Sequence, residues 1–303
     1  MRLSTTEKRN YLLGFIFIIF MVASATILND MEIILPEIGA LTAGTWIYQN
    51  GGWINQPFKI FLAPSGTAII GFLVNKLNIS YAEKVLLGLL LMLVLLRLLH
   101  SNLAPSFATG LLPIIINATH WSFIVAILFF TLILMCGVYL QGSYHQTSPS
   151  SIIQKHHMII FTIMAIVWVG AVWFFGFSQM AAIPPVMVVF FEVLQKPQYS
   201  WQMASKHFIA LVGAASIGVA VHLIFSSWLI SAIISLPLVF VLLQLLKIKL
   251  PAAFAFPLLA LVLPINMFHM LPITAILATT FFLGTIVLLK KYVPYQKLSK
   301  VNE

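Results

Sequence analysis

Charged side chains are scarce in this sequence of 303 residues, at 8%, whereas hydrophobic residues make up 61%. A soluble globular domain carries about 25% charged residues, so this chain cannot cover a water-facing surface. Segments in lipid must satisfy their own backbone hydrogen bonds, which leaves helices or a closed barrel. The apolar runs are long and continuous rather than short and alternating, which favours helices. The sequence therefore predicts an all-α integral membrane protein.

Cysteine and catalytic motifs are nearly or wholly absent. Cys136 is the single cysteine, so the chain has no internal disulfide and no cysteine pair for a metal. The sequence contains no HExxH, no GxSxG and no Walker A motif. His145, His156 and His157 lie near mid-chain without carboxylate or cysteine partners, and we interpret them as part of a solvated loop. We expect no enzymatic activity, no metal and no cofactor.

Acidic residues are also few, at seven against sixteen lysines and arginines, which gives a net charge of +9. In a soluble chain this balance would suggest nucleic acid as a partner. In a membrane protein, cytoplasmic loops carry an excess of basic residues, and these also meet anionic lipid headgroups. We therefore expect the lipid bilayer, and no nucleic acid, as the partner of these charges.

Twelve apolar segments can be marked along the chain. They are 11–29, 32–47, 58–75, 84–100, 103–117, 120–141, 157–177, 181–195, 204–224, 227–246, 250–265 and 268–289. A spanning helix needs about 20 apolar residues. The second, fifth, eighth and eleventh segments are at or below the short end of that range and are rich in Pro, Gly, Ala and Thr. We interpret them as short or broken helices shielded by the others.

The lysines and arginines predict a topology. If the N-terminus is cytoplasmic and all twelve segments cross, fourteen of these residues lie inside and only Lys76 and Lys84 lie outside. This is a strong positive-inside bias. The sequence therefore predicts a multi-pass protein of the cell membrane with both termini in the cytoplasm. One alternative is that Tyr11 to Val22 is the core of a signal peptide, since Ala23-Ser24-Ala25 resembles a cleavage site.

An internal duplication argues against the signal peptide. Residues 59–71 and 206–218 are 147 positions apart and are identical at seven of thirteen positions. Residues 98–112 and 245–259 keep the same offset. Two separated blocks in one register indicate a repeat. We predict two parallel six-segment repeats, one in residues 1–141 and one in 157–303 with a cytoplasmic tail, joined by a cytoplasmic linker at 142–156. Parallel repeats are a known transporter architecture, with the substrate path at their interface.

Three stretches of the first half resemble the HPP family of membrane proteins. Pro36-Glu-Ile-Gly39-Ala40 is similar to the family's P-x-x-G-A, and Gln56-Pro57 followed by residues 68–71 resembles its Q-P-R…S-A-L-x-G helix. Residues 105–112 resemble its H-P-P-A-G-A-T-A-L-L stretch, although Leu103 and Ala104 replace the His and first Pro. The resemblance implies a transporter-like protein, with plastid members linked to nitrite transport. The family of fusaric-acid and aromatic-acid exporters has a similar pattern of short helices.

Ionisable groups in the apolar segments are the first candidate site residues, because a charge at the membrane centre costs about 2.5–3.5 kcal/mol. Glu37 lies in the second segment, and Lys59 and Lys206 begin the third and ninth at duplicated positions, with His207 beside Lys206. The alternatives are that the lysines are interfacial anchors and that Glu37 is favoured by a helix macrodipole.

Hydroxyl groups complete the candidate substrate-binding set. They are Ser65, Thr67, Ser106 and Thr109. Each of these groups either bonds to its own helix carbonyls or replaces water around a substrate. The N-termini of the second and fifth segments offer free N–H groups, which suit an anion.

Two functions remain open from the sequence. The first is a secondary transporter that moves a small anion or organic acid between the two repeats. The second is a non-transporting membrane scaffold or assembly subunit. The expected partners are the bilayer and a small anionic substrate, and a homo-oligomer is compatible with either function.

Overall fold

The computed structural model describes residues 4–142 and 153–292, and these residues fold into helices joined by short loops. The predicted all-α class is confirmed for this part of the chain. The linker residues His145 and Ser148, together with Arg2, Lys297 and Lys300, lie outside the described residues.

The first half contains seven helices. They are α1 (Thr5–Leu28), α2 (Pro36–Thr42), α3 (Gly51–Ile54), α4 (Pro57–Asn75), α5 (Tyr81–Leu98), α6 (Pro105–Ile115) and α7 (Trp121–Gln141). A 3-10 turn at Met31–Ile33 precedes α2, and a π-helical turn at Ala43–Ile47 extends it.

The second half also contains seven helices among the described residues. They are α8 (Lys155–Phe174), α9 (Pro184–Gln195), α10 (Trp201–Phe225), α11 (Trp228–Leu246), α12 (Ala255–Val262), α13 (Ile265–Phe268) and α14 (Leu271–Tyr292). A 3-10 turn at Ser178–Met180 precedes α9, and another at Pro251–Phe254 leads into α12. Each of the twelve predicted apolar segments overlaps one helix of seven or more residues.

Seven helices are long and apolar enough to cross a membrane: α1, α4, α7, α8, α10, α11 and α14. Their outer faces carry large exposed hydrophobic side chains, such as Leu12, Val125 and Leu140. Such a surface is stable in lipid rather than in water. The chain is therefore a multi-pass membrane protein in contact with lipid.

The short helices form the centre of the molecule. All seven residues of α2, all eleven of α6 and all eight of α12 are buried, as are ten of the twelve in α9. Proline begins α2, α6 and α9, at the position where its missing N–H costs nothing. Lipid cannot satisfy an interrupted backbone, so such segments need a protein cover. The longer helices supply that cover here.

The two halves pack around similar centres. In the first half α4 contacts α5, α6 and α7, and in the second half α10 contacts α11, α12 and α14. Between the halves, α1 packs against α11, and α8 packs against α5. The short helices also meet across this boundary, α2 with α12 and α6 with α9.

Contacts between loops define two opposite ends of the bundle. We call the one that contains the start of α1 the first end. It is held by an ion pair of Glu7 with Lys249 at 3.7 Å, by a hydrogen bond from Lys59 Nζ to the carbonyl of His100, and by one from Lys290 Nζ to the carbonyl of Val193 at 2.7 Å.

The second end contains the C-terminus of α1 and the start of α7. The backbone N–H of Thr119 donates to Glu32 Oε1 at 2.9 Å, and the Asn75 amide donates to Asn117 Oδ1 at 3.1 Å. Lys84 Nζ donates to the carbonyl of Asn75 at 2.6 Å. The second end is therefore stabilised by side chains that reach between loops distant in sequence.

Candidate functional site

Glu37 is the acidic residue of the candidate set, and it is deeply buried. It lies in the first turn of α2 and is 1% exposed. Its Oε1 atom has no hydrogen-bond partner among the residues that the structure describes. A buried polar group without a partner costs free energy, so such an atom marks a place where a ligand, a water or a proton is expected.

Ser106 occupies a similar position in the first turn of α6. It is fully buried, and within the described part of the chain its hydroxyl has no hydrogen-bond partner. Helices α2 and α6 pack directly against each other. Proline precedes both Glu37 and Ser106, so each polar group follows the first residue of a short helix. The structure therefore places two unpartnered polar groups on adjoining central helices.

Thr67 and Thr109 form a hydroxyl pair between α4 and α6. Their Oγ1 atoms are 2.6 Å apart, and each also lies 3.0 Å from the carbonyl oxygen of Pro64. Thr67 Oγ1 also lies 3.0 Å from the carbonyl oxygen of Ala63, and Thr109 Oγ1 lies 2.8 Å from that of Ser106. A hydroxyl has one proton to donate, so these two groups are already engaged with the helix backbone.

A close crossing of α4 and α6 brings the threonine pair together. A Cβ atom on Gly71 would overlap the carbonyl group of Gly110, so only glycine allows the two backbones to approach this closely. Thr67 is one turn before Gly71, and Thr109 directly precedes Gly110. The crossing therefore fixes the separation of the two hydroxyl groups.

Ser65 is not part of this pair. Its hydroxyl lies 3.3 Å from that of Thr131 on α7, and Thr131 in turn donates to the carbonyl of Ile127 at 2.6 Å. Thr131 was missed in the sequence because it lies in a strongly apolar run, where a lone threonine gives no signal. Ser65 and Thr131 tie α4 to α7 inside the first half.

Lys59 lies at the first end, in the first turn of α4. Its ammonium donates to the carbonyl of His100, which has a positive φ of 49° at the end of α5. A small cavity of about 10 Å³ adjoins it, lined in part by Gln56, Ser101 and Asn102. The side chain is partly exposed, so Lys59 holds the loop after α5 and borders a recess with room for about one water molecule.

Lys206 and His207 lie on α10 with different surroundings. Lys206 is partly exposed, whereas His207 is buried with its Nδ1 atom 3.0 Å from the hydroxyl of Tyr199. Burial raises the pKa of Tyr199, so this hydroxyl stays neutral near pH 7. His207 is therefore committed to a contact with the loop before α10. Lys206 lies 147 positions after Lys59, and among the described residues it makes no hydrogen bond to a loop carbonyl such as the one that Lys59 makes.

Glu32 is a buried acidic residue that sequence reasoning missed. Its carboxylate accepts hydrogen bonds from the backbone N–H groups of Thr119 and His120, at 2.9 and 3.0 Å, at the start of α7. His120 Nδ1 is 3.7 Å from Glu32 Oε1. A carboxylate is favoured at a helix N-terminus, so Glu32 caps α7 from a distant loop. Its partners are 87 and 88 residues away, and no local pattern reports them.

The described residues contain no group of three or more His, Cys, Asp or Glu side chains placed to hold a metal ion. Comparison with protein-family models, curated proteins and solved structures finds no match to this chain. The resemblance to the HPP family therefore stays a prediction. The arrangement itself offers polar atoms on the central helices that are unpartnered among the described residues, at Glu37, Ser106 and Glu192, and a partly exposed lysine, Lys59, at the first end.

Proposed function

We propose that this chain is a secondary transporter of small anions, with no enzymatic activity, built from two parallel repeats with the substrate path between them. Its membrane location follows from the exposed apolar helices. The repeat, the number of crossings and the transport path are supported by separate observations, which concern the helix ends, the glycine contacts, the packing of the halves and the central polar groups.

Loop contacts argue against an arrangement of seven crossings and are compatible with twelve. Two loops in contact lie on the same side of the membrane, so the chain between them crosses an even number of times. Lys59, at the start of α4, contacts the loop at His100, after α5. If α4 crosses the membrane, α5 must therefore cross back. Glu32 contacts Thr119. If only the seven long helices crossed, α4 alone would separate each of these pairs, and neither contact would form.

Glycine contacts support the repeat. Gly66 and Gly71 of the first half, and the glycines 147 positions later, contact neighbours that are themselves 147 positions apart. A Cβ on Gly66 would lie 2.8 Å from Leu95, and one on Gly213 would lie 2.7 Å from Leu242. In the same way Gly71 packs against Gly110, and Gly218 packs against Pro257. Every partner in the second half is itself 147 positions after its counterpart. Chance similarity of two apolar sequences does not produce shared three-dimensional contacts.

The packing of the halves supports a two-fold axis along the membrane normal. Under the 147-residue offset, α8 corresponds to α1 and α11 to α5. The contact of α1 with α11 then corresponds to that of α8 with α5. The contact of α2 with α12 corresponds in the same way to that of α9 with α6. Parallel repeats related by such an axis carry their substrate site at the interface in known transporters.

The single observation that carries the transport function is the pair of unpartnered polar groups at this interface. Glu37 and Ser106 are on the short helices that meet the other half, and the Glu37 carboxyl is 1% exposed. An ionisable side chain inside a membrane bundle is costly and is characteristic of a substrate or proton path. We assign Glu37 to proton coupling and Ser106 to substrate contact.

Charge favours an anion over a cation. The chain has seven acidic residues against sixteen basic ones, and Lys59 is partly exposed at the first end. The hydroxyl groups of Thr67 and Thr109 are engaged with a backbone carbonyl, so we assign them to helix packing rather than to substrate contact. A proton on Glu37 would accompany the anion and offset its charge.

Flux through reconstituted vesicles tests the proposal. Purified protein in liposomes is given nitrite, formate, acetate or benzoate, with and without an inward proton gradient. We expect at least one of these anions to enter faster with the gradient. Glu37→Gln should abolish the dependence on the gradient, and Lys59→Gln should lower the rate. Glu83→Gln, which changes an exposed cap of α5, is the matched control.

Absence of flux for every anion would favour the second function, a membrane scaffold or assembly subunit. Flux that keeps its gradient dependence in Glu37→Gln would contradict the role of Glu37 and leave transport itself standing. Both variants should be checked for wild-type melting temperature before their rates are compared.

A further inference from the structure

An apolar groove runs between α10 and α14 on the outer surface of the second half. Its volume is about 480 Å³, which is within the usual range for small-molecule sites. The α10 side is lined by Trp201, Ala204, Ser205, Phe208 and Ile209, and the α14 side by Thr279, Thr280, Leu283 and Gly284. No part of the transport proposal uses this groove.

The corresponding region of the first half is filled. Gly137 is the counterpart of Gly284, 147 positions earlier. The ring of Trp46 packs directly on Gly137, and its indole N–H donates to the carbonyl of Leu134 at 3.1 Å. A Cβ on Gly284, in contrast, would meet nothing within 4 Å. The second half therefore leaves open a surface that Trp46 covers in the first half. This comparison of the halves rests on the proposed repeat, but the groove itself is observed without it.

One end of the groove carries the chemistry of a membrane interface. Trp201 begins α10 and is 68% exposed, and tryptophan is enriched at headgroup depth. Lys206 follows Ser205 and is partly exposed. This is the first end of the bundle, because Lys290 of α14 donates there to the carbonyl of Lys196 in the loop before α10. Basic residues between helices at the cytoplasmic face bind anionic lipid headgroups.

Thr279 adds an unpartnered hydroxyl to the groove wall. It is fully buried, and its Oγ1 atom has no hydrogen-bond partner in the part of the chain that the structure describes. A helix of a second copy of this chain is the other natural occupant of a membrane groove. In a two-fold dimer through this face, Lys206 of one copy would lie at the same depth as Lys206 of the other, and like charges would oppose the contact.

We propose that the groove between α10 and α14 binds an anionic phospholipid, with an acyl chain along Phe208 and Gly284 and the headgroup at Trp201 and Lys206. Lys206 then differs in role from Lys59, although the duplication aligns the two. The groove serves as a fixed lipid site that stabilises the second half.

Thermal unfolding of purified protein in detergent tests this site. The probes are phosphatidylglycerol and phosphatidylcholine with identical acyl chains. We expect phosphatidylglycerol to raise the melting temperature by several degrees more than phosphatidylcholine does. Gly284→Leu fills the groove and Lys206→Gln removes the charge, so each should abolish this difference. Thr280→Leu fills the groove from an exposed position, should Gly284→Leu fail to fold.

Matched controls separate the groove from the rest of the surface. Gly170→Leu adds the same side chain to α8 at a glycine with nothing within 4 Å, and Lys247→Gln removes a lysine at the end of α11. Both should keep the lipid selectivity. Unchanged selectivity in Gly284→Leu and Thr280→Leu, or equal loss in the controls, would overturn the proposal. A wild-type dimer that becomes a monomer in Gly284→Leu would assign the groove to a second copy instead, and neither result bears on anion flux.

Discussion

At the residue scale, the candidate side chains differ in whether their polar atoms have a hydrogen-bond partner. The sequence offered Glu37, Ser106, Thr67 and Thr109 together, because all are polar groups in apolar segments. The structure bonds the two threonines to helix carbonyls and leaves Glu37 Oε1 and the Ser106 hydroxyl unpartnered among the described residues. Composition and spacing carry no information on which hydroxyl finds a carbonyl. That difference depends on where α4 and α6 cross.

The Glu32 cap gives a prediction at this scale. Glu32→Ala leaves the N–H groups of Thr119 and His120 without their buried acceptor, and hydrogen bonds to a charged group contribute about 1.5–3 kcal/mol. We expect a loss of about 2–3 kcal/mol, seen as a melting temperature lower by several degrees in detergent. Glu32→Gln keeps an acceptor and should lose less.

The matched control is Glu7→Ala. Glu7 also caps a helix, but its side chain is partly exposed and its ion pair with Lys249 is at the surface. Exposed pairs contribute little, so this variant should melt close to wild type. Equal losses for the two variants would show that Glu32 has no special role at α7.

At the element scale, the four short segments were predicted as short or broken helices shielded by others, and the lengths and burial of α2, α6, α9 and α12 agree with this. The π-helical turn after α2 and the insertion of Trp46 against α7 were not predicted. The π-helical turn adds a residue to one helical turn, and its position depends on the surface against which the helix packs. A tryptophan in an apolar run gives no indication of its partner.

The crossing of α4 and α6 gives a prediction at this scale. Gly71→Ala places a methyl group against the Gly110 backbone, which cannot move aside without separating the helices. We expect a loss of at least about 3 kcal/mol, or failure to fold. Gly218→Ala should also destabilise, because its Cβ would lie 2.6 Å from the Cα of Pro257. The measurement is the yield and melting temperature of monodisperse protein.

Gly170→Ala is the control for these glycine variants. Its new methyl group meets nothing within 4 Å, and alanine favours a helix over glycine by about 1 kcal/mol. Its stability should equal or slightly exceed that of wild type. A Gly71→Ala protein as stable as Gly170→Ala would contradict the close crossing.

At the scale of the whole molecule, two pairs of helix ends that are 147 residues apart share a backbone conformation. Asn29 and Gly176 both have positive φ at the ends of α1 and α8, and so do His100 and Lys247 after α5 and α11. The residues at these positions differ within each pair, so identity alone could not reveal the match. These two pairs agree with the proposed repeat, although the αL cap of α10 at Ser226 has no counterpart after α4, where Lys76 is αR.

The polar site is not repeated in the same way. The second half has Val212, Ala214 and Phe256 where the first has Ser65, Thr67 and Thr109, and Ala253 in place of Ser106. These substitutions are visible in the sequence once the register is fixed. Under the proposed repeat, the Ser106 hydroxyl that we assign to transport therefore has no polar counterpart in the second half.

The number of crossings gives the last prediction. Single cysteines are placed at three exposed positions in a Cys136→Ser background. Asn78 follows α4 and Asn266 lies in the short helix α13, both at the second end, and Gln198 lies at the first end. With twelve crossings and a cytoplasmic N-terminus, a membrane-impermeant maleimide added to intact cells should label Asn78→Cys and Asn266→Cys. It should reach Gln198→Cys only after the cells are opened.

If only the seven long helices crossed, Asn78 and Asn266 would both be cytoplasmic and protected. Labelling of Gln198→Cys alone in intact cells would mean that the whole orientation is inverted, with the fold retained. Labelling of one of the two asparagine positions without the other would contradict parallel repeats, because each half contributes one of these positions.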